Sequence, residues 1–290
     1  MAKEIIGSIE LNRIYQMDCI DGMRLLPDNS VDLTVTSPPY DNLRTYNGYS
    51  FDFENVAKEL YRVTKPGGVV VWVVADETKD FCESMTSFKQ ALYFVEKCGF
   101  KLLDTMIYYK KNYAPAYPTL RRYANQFEYM FVFVKGKKPK TFNPIQIEKK
   151  ETTIKRQQNS KGSTSTFRQK DGTLKKTEIN NQKTKKIASN VWQYSTGAGN
   201  STIDKIAFQH PAIFPELLVQ DHIISWSNLG EIVLDPFIGS GTTAKMALLN
   251  NRNFIGFEIS EEYVRIANQR LENVYDEIAE RKLTEGNDAK

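Results

Sequence analysis

Cysteine and histidine are scarce in this 290-residue chain. Cys19, Cys82 and Cys98 form no C-x-x-C pair, and His210 and His222 are the only histidines. An odd cysteine set without close spacing supplies neither a disulfide framework nor a Cys-rich zinc site. Two histidines make a multi-His metal site or a Ser-His-Asp triad a poor fit, so no metal is expected. Long apolar runs are also missing. The longest, VVVWVVA at 69–75, falls far short of the ~20 residues that span a bilayer. The opening MAKEIIGSIE has no apolar signal-peptide core. These absences predict a cytoplasmic protein with no membrane partner. The 41% of hydrophobic residues is enough to build a large folded core.

Charge is unevenly spread. Between residues 135 and 186, 16 lysines and arginines meet only Glu148, Glu151, Asp171 and Glu178, a local net charge of +12. The whole chain totals +4, which leaves −8 for the rest. A basic segment on an acidic body suits a polyanionic partner, because each cation beside a phosphate releases condensed counterions. The same stretch is poor in large apolar residues (Phe142, Ile145, Ile147, Ile154, Phe167, Leu174, Ile179) and rich in Lys, Thr, Ser, Asn and Gln. It is read as an extended insertion without a core of its own.

On either side, strand and helix patterns alternate. Strand-like segments fall at 12–17, 31–35, 69–74, 101–109, 127–134, 231–234 and 253–257. Helical periodicity marks 21–26, 53–64, 87–98, 215–225, 242–250 and the stretch from 261 on. Val56, Leu60 and Val63 at i, i+4 and i+7 form the apolar stripe of the second helix, and Lys65-Pro66-Gly67-Gly68 is read as the turn that ends it. The pattern predicts an α/β fold, a doubly wound and mainly parallel sheet. Residues 1–140 and 191–290 form its two halves, and the basic insertion spans 141–190.

Two loops fall where such sheets hold their sites, at the carboxyl ends of strands. The first, Ser37-Pro38-Pro39-Tyr40, follows the buried strand VDLTV. The second, Asp235-Pro236-Phe237-Ile238-Gly239-Ser240-Gly241, lies between a strand and the helix opening at Thr242 and Thr243. Glycines there let the backbone approach a ligand, and a helix N-terminus offers N–H groups to a carboxylate or phosphate. Glu258, seventeen residues after Gly241 at the end of the next strand, can accept from two ribose hydroxyls. A nucleoside cofactor follows from this arrangement. A nicotinamide or flavin dinucleotide is the alternative, but too few residues follow Gly241 for a second mononucleotide half.

Together these loops resemble the amino-group DNA methyltransferases that use S-adenosylmethionine, in which a [D/N/S]-P-P-[Y/F] loop holds the target amine and an F-x-G-x-G turn holds the cofactor. The catalytic loop comes first, the cofactor loop last and a basic variable region between them, which is the circularly permuted order of the β class. Further agreement lies in Met17-Asp18-Cys19, Lys65-Pro66-Gly67-Gly68, Phe127-Glu128-Tyr129 and His210-Pro211-Ala212-Ile213-Phe214-Pro215. The resemblance implies a seven-stranded-type, Rossmann-like methyltransferase sheet with residues 141–190 as the target-recognition region. Phe237, Gly239 and Gly241 would cradle the cofactor within the loop that Pro236 and Ser240 complete. Thr242 and Thr243 would meet its methionine carboxylate, Glu258 its ribose and Asp18 its adenine amine. Asp235 would orient the loop or approach the methionine amine. His210 and His222 are left as structural.

The chemistry explains the catalytic loop. An exocyclic amine is a poor nucleophile because its lone pair is delocalised into the ring, so its N–H groups need acceptors, for which Ser37 Oγ and the Pro38 carbonyl are the candidates. Pro38 and Pro39 stiffen the loop, and Tyr40 offers a face on which a flipped base can stack. Serine at 37 resembles the cytosine-N4 branch; adenine N6 is the alternative. An RNA or protein amide methyltransferase normally carries the cofactor loop first, and an inactive DNA-binding homologue need not keep both loops. Double-stranded DNA in a prokaryotic or phage-like setting is the implied partner, with a homodimer and a cognate restriction endonuclease as further partners of the class. Gln157, Gln158, Arg168 and Gln169 are candidate base readers, and Arg121 and Arg122 a second candidate DNA contact.

Overall fold

The valine run at 69–74 lies near the middle of an eight-stranded sheet in the computed structural model, which describes residues 4–39, 52–115, 119, 121–159, 164–178, 184–197 and 199–288. In chain order the strands are β1 (Arg13–Gln16), β2 (Val31–Thr36), β3 (Thr64–Val74), β4 (Lys101–Lys110), β5 (Phe127–Val134), β6 (Val191–Tyr194), β7 (Ile232–Asp235) and β8 (Asn253–Glu258). They are arranged β6-β4-β5-β3-β2-β7-β8-β1, and every pairing is parallel except the two made by β5.

Period-two alternation along β3 feeds two cores. Val69, Val71 and Val73 face one layer, built with Leu218, Val219 and Ile223 of α4 (Glu216–Trp226), Ala244 and Ala247 of α5 (Thr242–Leu249), and Ala267 and Leu271 of α6 (Glu261–Asp288). Val70, Trp72 and Val74 face the other, with Met23 of α1 (Cys19–Arg24), Val56, Leu60 and Val63 of α2 (Phe53–Val63), and Ala91 of α3 (Thr86–Tyr93). Helices on both faces cover the mainly parallel sheet, whose central strands β2, β3 and β7 bury their valines and leucines toward both layers.

Three local expectations change. Only seven strands are legible in the sequence; β6, a short VWQY segment beside the polar insertion, pairs in parallel with the edge strand β4, Val191 opposite Ile107. The Lys65-Pro66-Gly67-Gly68 segment is not a free turn but the first part of β3, accommodated by a register shift against β2 between Val31 and Leu33. The helix expected over 87–98 ends as α3 at Tyr93 and continues as a π-helical turn, Phe94–Cys98. There the buried Phe94 ring packs 5.1 Å from Trp72 and 4.7 Å from Phe133.

Contacts divide the chain into two units, residues 1–143 with 190–290, and residues 144–189. Among its described residues the smaller unit pairs Gln146–Glu148 with Lys185–Ile187 and Thr164–Arg168 with Leu174–Glu178, both antiparallel, and carries one helix, Glu151–Asn159. Of its described large apolar side chains Ile147, Phe167, Leu174 and Ile187 are exposed, and Ile145 and Ile154 are half-buried. Backbone pairing rather than core burial organises it.

Candidate active site

The carboxyl ends of β1, β8, β7 and β2 open into one cavity of about 630 Å³, within the range of small-molecule sites. Asp18, Ser37, Pro39, Asp235, Pro236 and Phe237 line it, as do Gly239, Ser240, Thr242, Thr243 and Glu258. The structure thus brings the two loops to one space. Pro38, between Ser37 and Pro39, is buried, and Tyr40 lies outside the described residues.

The glycine loop is fixed from several sides. Gly239 has φ +49° and Gly241 φ +81°, a region where side chains are strained. A Cβ at 239 would lie 2.9 Å from His210 Nε2, and one at 241 would lie 2.9 Å from the Ala267 Cβ. Asp235, at the end of β7, accepts from Thr36 Oγ1 at 2.6 Å, Thr243 Oγ1 at 2.6 Å and the Phe237 N–H at 3.0 Å. Burial nevertheless pushes its carboxyl up to about 6, because these hydrogen bonds only partly offset desolvation. The Thr243 hydroxyl is therefore committed to Asp235, which ties the start of α5 to the end of β7.

Glu258 closes the loop from β8. Its Oε2 accepts from the Gly239 N–H at 3.0 Å and its Oε1 from the Ser260 N–H at 2.9 Å. Burial raises its pKa against those backbone bonds. Each carboxylate oxygen still has a lone pair, which suits a vicinal diol. Asp18 caps α1, accepting from the N–H groups of Ile20 at 2.8 Å and Asp21 at 3.4 Å, and stands at the end of β1 beside β8.

A charge network beneath the loop has no counterpart in the motif reading. Arg270 of α6 is 0% exposed and donates to the Ser240 carbonyl at 2.6 Å. It also bonds Asp204 at 3.0 Å and Glu216 at 2.8 Å, and Lys245 of α5 reaches the same two carboxylates at 2.8 Å each. Burial works against the Asp204 carboxylate, but the bonds from Lys245 and Arg270 outweigh it and hold its pKa below the ordinary range. The Thr242 hydroxyl accepts from Arg270 at 3.2 Å. One signal was available: Arg270 stands at i+4 from Ile266 and i−4 from Val274, inside the apolar stripe of its helix.

His210 is held in the loop ahead of α4, its Nδ1 2.7 Å from the Ala212 carbonyl oxygen. Its ring lines the cavity, 4.2 Å from Tyr263 and against Gly239. His222 does sit in the core, with Nε2 3.2 Å from Met130 Sδ. Arg122 is engaged by Glu83 at 2.7 Å and by the Thr78 hydroxyl, so its guanidinium already has protein partners. Gln157, Gln158, Arg168 and Gln169 belong to the smaller unit, the last two at the turn of its 164–178 hairpin.

A permuted Rossmann-like sheet, a Pro-Pro loop at β2 and a glycine loop at β7 define a methyltransferase class. The chain belongs to the DNA methylase family of N6 and N4 type, whose model matches residues 31–269. It is 56% identical over 247 residues to the orphan methyltransferase M.BamHII of Bacillus amyloliquefaciens, covering 85% of this chain and 90% of that one. Among solved structures, PvuII DNA methyltransferase (cytosine-N4-specific) superposes with TM-score 0.63 at 19% identity over 91% of both chains. The M1.HpyAVI–SAM complex does so with TM-score 0.58 at 25% identity, over 89% of this chain and 98% of that one.

Proposed function

We propose that this enzyme transfers a methyl group from S-adenosylmethionine to the exocyclic N4 of a cytosine flipped out of double-stranded DNA. The observation that carries the reading is that Ser37 lines the same cavity as the glycine loop and Glu258. The residues present fit the cofactor: the half-buried acid Glu258 with lone pairs for a ribose diol, the Phe237 ring in the same cavity lining, and the buried carboxylate of Asp235 as a counter-charge. When bound, the cofactor supplies an electrophilic methyl on sulfur. Glu258 and Asp18 would hold its nucleoside, Thr242 and Thr243 the N-terminus of α5 that meets its carboxylate, and Pro236, Gly239, Ser240 and Gly241 the shape of the loop around it.

Ser37 Oγ and the Pro38 carbonyl would accept the amine hydrogens, drawing the nitrogen toward sp³ geometry and freeing its lone pair. Pro39 keeps that loop rigid. Tyr40 would stack on the flipped base. Catalysis then rests on positioning, a direct displacement that requires no cysteine nucleophile. Burial pushes the Cys19 thiol at the cavity wall up to about 12, which keeps it protonated and unreactive. The basic segment 144–189 would carry target recognition through phosphate and base-edge contacts.

The test is to incubate the protein with S-adenosylmethionine and unmodified genomic DNA, digest to nucleosides and identify methylated products by mass spectrometry. N4-methylcytosine is expected. N6-methyladenine would keep the fold, the cofactor and the positioning chemistry and discard the cytosine assignment; no methylated nucleoside would overturn the function.

A further inference from the structure

The cavity does not end at Ser37. Beyond β2 it continues across the sheet to β5 and β4, where Glu128, Tyr108 and Lys110 line it. Three strand spacings separate β2 from β4, roughly 14 Å, room for a pyrimidine ring between the side chains of the two strands. Tyr108 and Lys110, two apart on β4, share a face, and Tyr108 stands directly opposite Glu128 on β5. Lys110 Nζ lies 2.8 Å from Glu128 Oε1.

Tyr108 is the anomaly in this group. It is 2% exposed, and its hydroxyl has no hydrogen-bond partner among the described residues. Tyr194, its neighbour at 6.0 Å between ring centroids, instead donates to Asp221 at 2.6 Å. Burial and the nearby Glu128 push the Tyr108 phenol upward, so it stays a neutral O–H donor. A buried hydroxyl without a partner is destabilising unless a ligand completes it. Lys110 adds donors of its own, since an ammonium has three N–H groups and Glu128 takes one.

Resting on the cytosine-N4 reading, we infer that Tyr108 and Lys110 select the base, donating to N3 and O2 of the flipped cytosine while Glu128 holds the ammonium in place. The match is one of pattern. Past its amine, cytosine presents two adjacent acceptors, N3 and O2; adenine presents one, N1, and then a C–H. Two donors beyond the amine-binding loop complement cytosine, and adenine would leave one of them without its acceptor, at the greater cost where that donor is the buried Tyr108 hydroxyl.

The test uses Tyr108→Phe and Lys110→Met with two DNA substrates, ordinary genomic fragments and the same fragments amplified with 2-thio-dCTP, in which a weakly accepting sulfur replaces O2. Each variant is expected to bind S-adenosylmethionine as the wild type does and to lose 10-fold or more in N4-methylcytosine formation on ordinary DNA. Tyr108→Phe should keep or raise Tm, because it deletes an unpartnered hydroxyl. Wild type should lose 10-fold or more on 2-thio DNA, and that penalty should vanish in at least one variant, the one whose donor meets O2. Wild-type rates in both variants, or a 2-thio penalty undiminished in both, would overturn the assignment while leaving cytosine as the target. N6-methyladenine from the wild type would instead remove the cytosine reading itself and the inference with it.

Discussion

Charge does opposite work in the two units of this molecule. In the larger unit the buried cations Lys245 and Arg270 and the half-buried carboxylates Asp204 and Glu216 form a balanced cluster whose every member has two or more partners. In the smaller unit the ion pairs lie in solvent: Lys185 stands 3.5 Å from Glu148 with side chains 57% and 65% exposed. Lys155 and Glu151, at 2.6 Å, are exposed too. The contact distances overlap, yet their energies differ because desolvation separates them. A buried cluster costs several kcal/mol to break, whereas an exposed pair is typically worth about 0–1 kcal/mol. Buried charge here shapes a loop, and exposed charge is left available to a partner.

The largest effect should come from breaking the buried cluster. Arg270→Met leaves two carboxylates facing one ammonium and removes the donor from the Ser240 carbonyl. We expect a loss of about 3–5 kcal/mol in urea unfolding, together with weaker S-adenosylmethionine binding, because the carbonyl it holds belongs to the glycine loop. A variant with wild-type stability would show that the cluster is dispensable and would erase the contrast between the units.

Much of this arrangement was legible beforehand because it is local. The strand VDLTV followed by Ser37-Pro38-Pro39, the strand-turn-helix around Gly239 and Gly241, and Glu258 at the next strand end each declare themselves within a few residues. The two-faced use of Val69 to Val74 follows from period two alone. The missed features are long-range or arise only from packing. Arg270 meets Asp204 across 66 positions, and nothing near either residue specifies the other. Tyr108, Glu128 and Lys110 converge only once β4 and β5 pair in a given register. The strand β6 is too short and too close to the polar insertion to stand out; its partner β4 defines it. The neighbourhood of His210 is likewise set at a distance, by Gly239, 29 residues away, whose missing side chain makes room for the ring.

A smaller effect tests buried charge of another kind. His222 is fully buried, and desolvation lowers its pKa from 6.5 to about 3, so it stays neutral in the folded state. The unfolded chain takes up that proton as pH falls below 6.5, so this contribution is complete above 6.5 and is lost toward pH 3. Asp235 runs the other way: its folded pKa of about 6 exceeds the ordinary 3.8, so its contribution is present at low pH and is lost as pH rises through 6. The two trends oppose one another between pH 4 and 6 and flatten the wild-type profile. Comparing wild type with His222→Leu separates them. The stability difference should shift in the variant's favour by about 1.4 kcal/mol per pH unit below 6.5. A constant difference from pH 7 to 4.5 would mean that His222 does not titrate as a buried group.

The smallest expected effect on stability belongs to the exposed unit, and there the sign of the comparison reverses for binding. Replacing Lys175, Lys176, Lys185 and Lys186 with glutamine removes four positive charges from exposed strand positions. Because none of them is desolvated, unfolding free energy should change by no more than about 0.5 kcal/mol. DNA affinity should fall instead, and its dependence on salt should weaken, by up to about 0.9 in log–log slope for each lysine that meets a phosphate. Fluorescence anisotropy with labelled duplex across a salt series reads both quantities. An unchanged slope would mean that this face does not meet the phosphate backbone, and the +12 segment would then need another partner. A stability loss of several kcal/mol would show instead that exposed lysines hold the smaller unit together, contrary to the weak pairing at Lys185 and Glu148.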